Sequence, residues 1–307
     1  YNSALPKCIN PEDYKLLFVI ILELIKYNYE NIGSLMSKIF ELSYKGIICP
    51  NKAIVIISIE FWEQICLFEK SLPANKPFKQ YSKTAMEALF GDLLKIMSKM
   101  DNEASITCVS LLRNFTKLYP KEMIELSRPE IEKILSNRNQ LDHPEMRFYV
   151  IFNLINALCV KHFNRNNESP LNDLPLLEYF LIIVDIICHS HILIKIGLIT
   201  CNSLIQCSNQ IANDKRVIEF VSSVINNRDL MLQFKIEGFQ ICRSLFKKSH
   251  TIHFEAFFDV LFNLAFDSEI TDTEDSINNA FSSLKDLISN KGNEFNLSNT
   301  YHIFFNL

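Results

Sequence analysis

The chain has 307 residues, 48% hydrophobic and 21% charged, with six Gly, ten Pro and a formal net charge of −4. So little Gly excludes Gly-rich phosphate loops and argues against tight hairpins and many-stranded sheets. A slightly acidic balance, with Lys and Arg scattered rather than gathered into a stripe, offers no basic field for nucleic acid.

Apolar residues recur at helical spacing from end to end. They predict helices over 11–27, 31–45, 50–69, 80–99, 103–119, 121–136 and 144–162. The series continues over 173–189, 192–211, 214–227, 229–248, 252–268 and 274–289, with a further helix from about 297. Pro50-Asn51, Pro120, Asp142-His143-Pro144, Asn213-Asp214 and Thr271-Asp272-Thr273 punctuate the breaks, several doubling as N-caps. Lys70–Gln80 and Lys161–Asp173 read as inserted loops, because the helical rhythm resumes after each. The runs Leu16–Ile25 and Tyr179–Ile187 are too short to span a bilayer and hold Glu23 and Asp185.

Grouping the helices in pairs gives a unit of roughly 40–50 residues, the period of HEAT-type repeats. The second members, Ala53–Phe68, Ala104–Leu118, Phe148–Val160, Leu193–Cys207, Leu232–Phe246 and Ile277–Ile288, each carry an apolar stripe. Such pairs cannot bury their faces alone and must stack. The expected fold is all-α, an α-α superhelix of the HEAT-repeat or armadillo-like kind. It forms one solenoid over residues 1–307 with about six to seven helix pairs. The chain opens at Tyr1 without Met and stops within the apolar run Tyr301–Phe305, so we expect a piece truncated at both ends.

Nine Cys occur, none in a C-x-x-C pair and most within apolar helical runs, which predicts buried free thiols in a reducing compartment. No nucleophile elbow, zinc-protease, phosphate-loop, dinucleotide or EF-hand pattern is present. His189 with His191, and His250 with His253, lack a third ligand at useful spacing, so no metal is expected. The acids Asp267, Glu269, Asp272, Glu274 and Asp275 fall in one interhelical stretch, where charge keeps a turn solvated. Neither catalytic residues nor a cofactor are expected.

Binding candidates are apolar. Met36 and Phe40 share a face at i, i+4, while Tyr81 opens the fourth predicted helix and Leu89 continues it. They are core residues, or they line shallow grooves that take single aromatic side chains of a flexible partner. The segment Ser58–Glu69 holds the only Trp, with Ile59, Trp62, Ile65 and Cys66 on one helical face. A large aromatic on that face packs one repeat against the next.

Ser58-Ile59-Glu60-Phe61-Trp62-Glu63-Gln64-Ile65-Cys66, followed by Glu69, resembles the I-E-F-W-x-x-[IV]-C-x-x-E segment of importin-β. Leu22–Tyr29 is similar to the tyrosine-bearing helix end before it, and Tyr81–Leu94 to the helix after it. Phe254–Leu261 and Ala280–Leu284 resemble a later helix pair of the same receptors. The likeness covers almost the whole chain; Glu60, Phe61, Trp62 and Cys66 are its marker.

That resemblance implies a karyopherin-β nuclear transport receptor shuttling between cytoplasm and nucleus through the pore. It implies FG-repeat nucleoporins, Ran-GTP, and importin-α or a direct protein cargo as partners. Met36, Phe40, Tyr81 and Leu89 fall where the family binds FG repeats. Asp101 and Glu103 stand as the remnant of the family's acidic loop, a contact for adaptor or Ran. Ile199 and Phe239 replace the family's inner-helix Trp residues, which weakens cation–π capture of a basic adaptor segment. The alternative is a HEAT-repeat scaffold or adaptor subunit outside transport.

Overall fold

A computed structural model describes residues 10–72, 80–159, 171, 174–252 and 254–291. The predicted helix from 297, most of both predicted loops, Cys8 and His253 lie outside these residues. The described chain is all-helical, with no strand. It divides into two compact units, Tyr1–Leu174 and Pro175–Leu307.

The first unit holds α1 (Pro11–Asn28), α2 (Gly33–Ile47), α3 (Lys52–Ser71), α4 (Tyr81–Met97), α5 (Asn102–Leu118), α6 (Pro120–Ser136) and α7 (Pro144–Leu158). Local chemistry starts them. Asn10, Asn51 and Asp101 each accept a hydrogen bond from a first-turn backbone N–H, at 3.2, 3.0 and 3.0 Å, and Pro opens α1, α6 and α7. Helix α1 touches α3, α3 touches α5, and α5 touches α7, while α2, α4 and α6 pack between successive members of that series. The core fills with Phe18, Phe61, Trp62, Phe115 and Phe152 among many Ile and Leu.

Three helices of this unit meet where one has no side chain. On α2, a Cβ at Gly46 would lie 2.0 Å from Ser58 Oγ of α3 and 2.3 Å from the Tyr14 hydroxyl of α1. Tyr14 donates to the Leu42 carbonyl at 3.1 Å, and Ser58 donates to the Ile54 carbonyl at 2.8 Å. Only Gly lets the helices approach so closely while the two hydroxyls stay bonded.

The second unit holds α8 (Leu176–His189), α9 (Ile194–Cys207), α10 (Asn209–Ala212), α11 (Lys215–Asn226), α12 (Arg228–Lys248), α13 (Phe254–Phe266) and α14 (Glu274–Lys291). Helix α9 contacts α12, and α12 contacts α14, with α11 touching both α12 and α13. Ion pairs follow this series: Lys195–Glu237 at 3.5 Å joins α9 to α12, and Arg243–Asp286 at 3.0 Å joins α12 to α14.

Two predicted helices differ in the structure. The one expected over 192–211 begins as a 3₁₀ turn at His191–Leu193 and stops at Cys207. Ser208 turns extended and its hydroxyl accepts from Ile211 N at 3.3 Å, so a local cap starts the short α10 instead. Helix α12 bends at Phe234, whose φ of −130° and ψ of 39° are not helical. Met231, before the bend, packs over Gly238, after it, where a Cβ would meet its sulfur at 2.5 Å.

Candidate protein-binding site

The segment Ser58–Glu69 lies on α3, the helix that contacts α1, α2, α4 and α5. Phe61 stacks on Phe18 of α1, ring centroids 4.4 Å apart and planes 21° apart. Trp62 is 1% exposed. Its Nε1 donates to Ser43 Oγ of α2 at 2.9 Å, and that hydroxyl donates on to the Phe40 carbonyl at 2.9 Å. The indole's polar edge is thus satisfied inside the core, as its burial demands. Glu60 is exposed on the other side of the helix.

The acids of the segment join elements. Glu63 accepts from Ser110 Oγ and, at 3.0 Å, from Asn114 Nδ2, both on α5. Glu69 accepts from the Tyr29 hydroxyl after α1, from Ser82 N at 3.1 Å and Ser82 Oγ on α4, and from the Tyr119 hydroxyl at 3.0 Å between α5 and α6. One carboxylate on α3 therefore gathers groups from three other parts of the unit. Burial, then the neighbouring Glu69 carboxylate, raises the Tyr29 phenol above its ordinary value, and burial does the same at Tyr119. Burial pushes the Cys66 thiol well up, which keeps it protonated and inert. Helical spacing alone puts Glu63 and Glu69 off the face shared by Ile59, Trp62, Ile65 and Cys66; their partners, 13 to 51 residues away, emerge only in the fold.

The four apolar candidates separate into two kinds. Met36 is 5% exposed and Leu89 fully buried, so neither offers surface to a partner. Phe40 and Tyr81 are half-buried. Phe40 lies between Tyr44 and the Trp62 ring, 5.8 Å from the latter, and Tyr81 meets Tyr29 edge-on at 5.2 Å. Since α2 and α4 are in contact, Phe40 and Tyr81 belong to neighbouring elements, each showing part of one ring.

Asp101 and Glu103 already have a partner. Lys52 Nζ, at the start of α3, lies 2.9 Å from a carboxylate oxygen of each. The Ala104 backbone N–H and the Lys52 ammonium hold the Asp101 carboxyl below its ordinary value. Asp101 serves first as the N-cap of α5, and the pair together with the Lys52 cation carries one net negative charge. Phe239, expected in place of a family Trp, is fully buried and cannot clamp a ligand.

A further apolar surface among the described residues was not among the expected sites. Along α1, Leu16, Val19, Ile20 and Leu24 are each roughly half-exposed, and Tyr27 is 85% exposed. Leu24 continues into an open groove of about 200 Å³ between α1 and α2, lined by Ile21, Leu24, Leu35, Lys38, Ile39 and Leu42. The signal was present in the sequence. Leu16–Ile25 contains more consecutive apolar residues than one helical face needs, and only Phe18 and Ile25 of it are buried.

Among the described residues no three His, Cys, Asp or Glu side chains are grouped as metal ligands, and no helix is long and apolar enough to cross a membrane. His189 is engaged locally, its Nδ1 2.7 Å from the Asp185 carbonyl. Comparison with protein-family models, with curated proteins and with solved structures found no match.

Proposed function

We propose that this chain is a HEAT-type α-α superhelix that works by holding protein partners, as a nuclear transport receptor resembling importin-β. The observation that carries the reading is the placement of the family-like segment. Phe61, Trp62, Cys66 and Glu69, the residues that carry the resemblance, occupy the contacts that join α3 to its neighbours. The serial contacts of α1, α3, α5 and α7, and of α9, α12 and α14, are those of stacked helix pairs.

On this reading FG-repeat segments insert Phe rings into shallow apolar surface. The α1–α2 groove, with Leu24 and Leu35 at its edges, and the part-exposed rings of Phe40 and Tyr81 supply it. Single sites of this size bind weakly, and several acting together give useful avidity. Ran-GTP and a cargo or importin-α complete the partner set, with the protein passing between cytoplasm and nucleus. A second reading, a HEAT scaffold outside transport, is favoured by one observation. Burial of Met36 and Leu89, and the Lys52 clamp on Asp101 and Glu103, leave few of the surface features a transport receptor uses.

The test is retention on FG-repeat beads of the whole chain, beside Leu24→Asp, Leu35→Asp and Tyr81→Ala. Transport predicts that wild type is held and that Leu24→Asp with Leu35→Asp weakens retention about tenfold or more. A wild type that elutes with the void at concentrations where a known receptor is captured decides for the scaffold.

A further inference from the structure

The exposed face of α14 has an ordered sequence of charge and apolar surface. Glu274, Ile277, Phe281, Lys285 and Ile288 fall within about 80° of the helix circumference, at 100° per residue. All are exposed, and Phe266 at the end of α13, exposed as well, meets Phe281 edge-on at 5.7 Å. The other side of α14 is occupied: Ala280, Leu284 and Leu287 are buried, and Ser283 Oγ donates to the Phe239 carbonyl of α12 at 3.0 Å. Asp286 is also taken, by Arg243 at 3.0 Å and Lys247 at 3.3 Å. Glu274 and Lys285, by contrast, have no ion-pair partner among the described residues. Four large apolar side chains on one side of the pair, bracketed by an unpaired acid and an unpaired base, mark an interaction surface.

We propose that this face packs against the same face of a second copy of the chain, the two α14 helices antiparallel about a two-fold axis. The face is complementary to itself. An axis midway between Ile277 and Phe281 sets Ile277 of each copy opposite Phe281 of the other, with each Phe266 beside its own Phe281 to widen the apolar centre. The same axis brings Glu274 of each copy level with Lys285 of the other, to within about 1.5 Å along the helix. One register thus satisfies the apolar and the charged positions together, and every contact is made twice, as an isologous interface requires. A parallel alignment would instead place like charges side by side. An unrelated helix would need an acid and a base in the matching order on either side of its apolar residues, and the second copy carries that order already. Contact through one helix and the end of another lies at the small end of specific interfaces, so the association is in the micromolar range.

Sedimentation velocity of the whole chain over about 1–200 μM tests this, and wild type should pass from monomer to dimer across that range. Glu274→Lys sets base against base at both ends of the contact, and Lys285→Glu sets acid against acid. Each should weaken the dimer about tenfold, since two attractive pairs become repulsive. An equimolar mixture of the two variants should regain the wild-type association, because each then meets the opposite charge; that recovery also shows both variants to be folded. Phe281→Asp should leave a monomer with the helical circular dichroism of wild type. A wild type that stays monomeric throughout, its α14 face covered by another occupant or by none, overturns the proposal. So does a dimer that both charge variants leave unchanged, or a mixture that fails to regain it.

Discussion

Trp62 and Glu69 lie two helical turns apart on α3 and hold the first unit together by different means. Trp62 fills space among Phe40, Phe61 and Ser43, and its truncation to Ala leaves a cavity the surrounding helices cannot close. We expect Trp62→Ala to cost about 3–5 kcal/mol, read as a lowered urea midpoint at unchanged slope. Glu69→Ala strips the acceptor from two phenols, a hydroxyl and a backbone N–H, and should cost about 3 kcal/mol, with Tyr29→Phe costing less than half of that. The buried thiols make a further prediction. Burial pushes Cys108 up to about 12, and pushes Cys66, Cys201 and Cys242 higher still, from an ordinary 9.0. In the unfolded chain these thiols ionise near pH 9, while the folded chain keeps them protonated. Their contribution is therefore fully present below pH 9 and is lost as pH rises toward their folded values. Each thiol adds a slope of up to about 1.4 kcal/mol per pH unit, and the phenols of Tyr29 and Tyr119 add to it above pH 10. Denaturant midpoints at pH 8, 9 and 10 should fall steeply across the last interval, and Cys108→Ala should make that fall shallower.

Within the helices, two glycines with the same local propensity have opposite roles. Gly91, mid-way along α4, has nothing within 4 Å of where a Cβ would stand. Gly91→Ala should raise stability by about 1 kcal/mol, since Ala loses less backbone entropy in a helix. Gly46→Ala carries the same propensity gain, yet its methyl would press on Ser58 Oγ and the Tyr14 hydroxyl. Overpacking at a three-helix contact costs about 1–3 kcal/mol, so this variant should melt lower than wild type. Helix existence was legible in the sequence because caps and 3.6-residue periodicity are local properties; Asn51, Asp101 and Pro120 each sit at the predicted breaks. The break at Ser208 and the bend at Phe234 were not legible. Apolar spacing runs on through both and hides the local Ser208 cap, while the packing of Met231 on Gly238 across the bend exists only in three dimensions.

For the molecule as a whole, a chain poor in Gly and rich in amphipathic helical stretches builds the core of each unit by packing helix against helix. The second helices picked out from the sequence make the serial contacts within each unit, and α1 joins that series ahead of them. The candidate site was less legible. Periodicity marks Met36, Phe40, Tyr81 and Leu89 alike as apolar. It is the crossing of α2, α3, α4 and α5 that buries two of them and leaves the others part-open. The exposed stripe of α1 shows the converse, a helix with more apolar surface than its described neighbours cover.

Most helix positions, the burial of Cys49, Cys66, Cys108, Cys201 and Cys242 and the placement of Trp62 on an inward face followed from the sequence by itself. Cys188, which is exposed, and Cys159 and Cys207, which are half-buried, depart from the expected burial. The fates of Asp101 and Glu103 on Lys52, of Glu69 among two phenols, and of the α1–α2 groove were decided by tertiary structure alone. The physical reason is that burial and ion pairing belong to the space between helices. A helical face carries its chemistry in sequence, but what covers that face is set by chain tens of residues away.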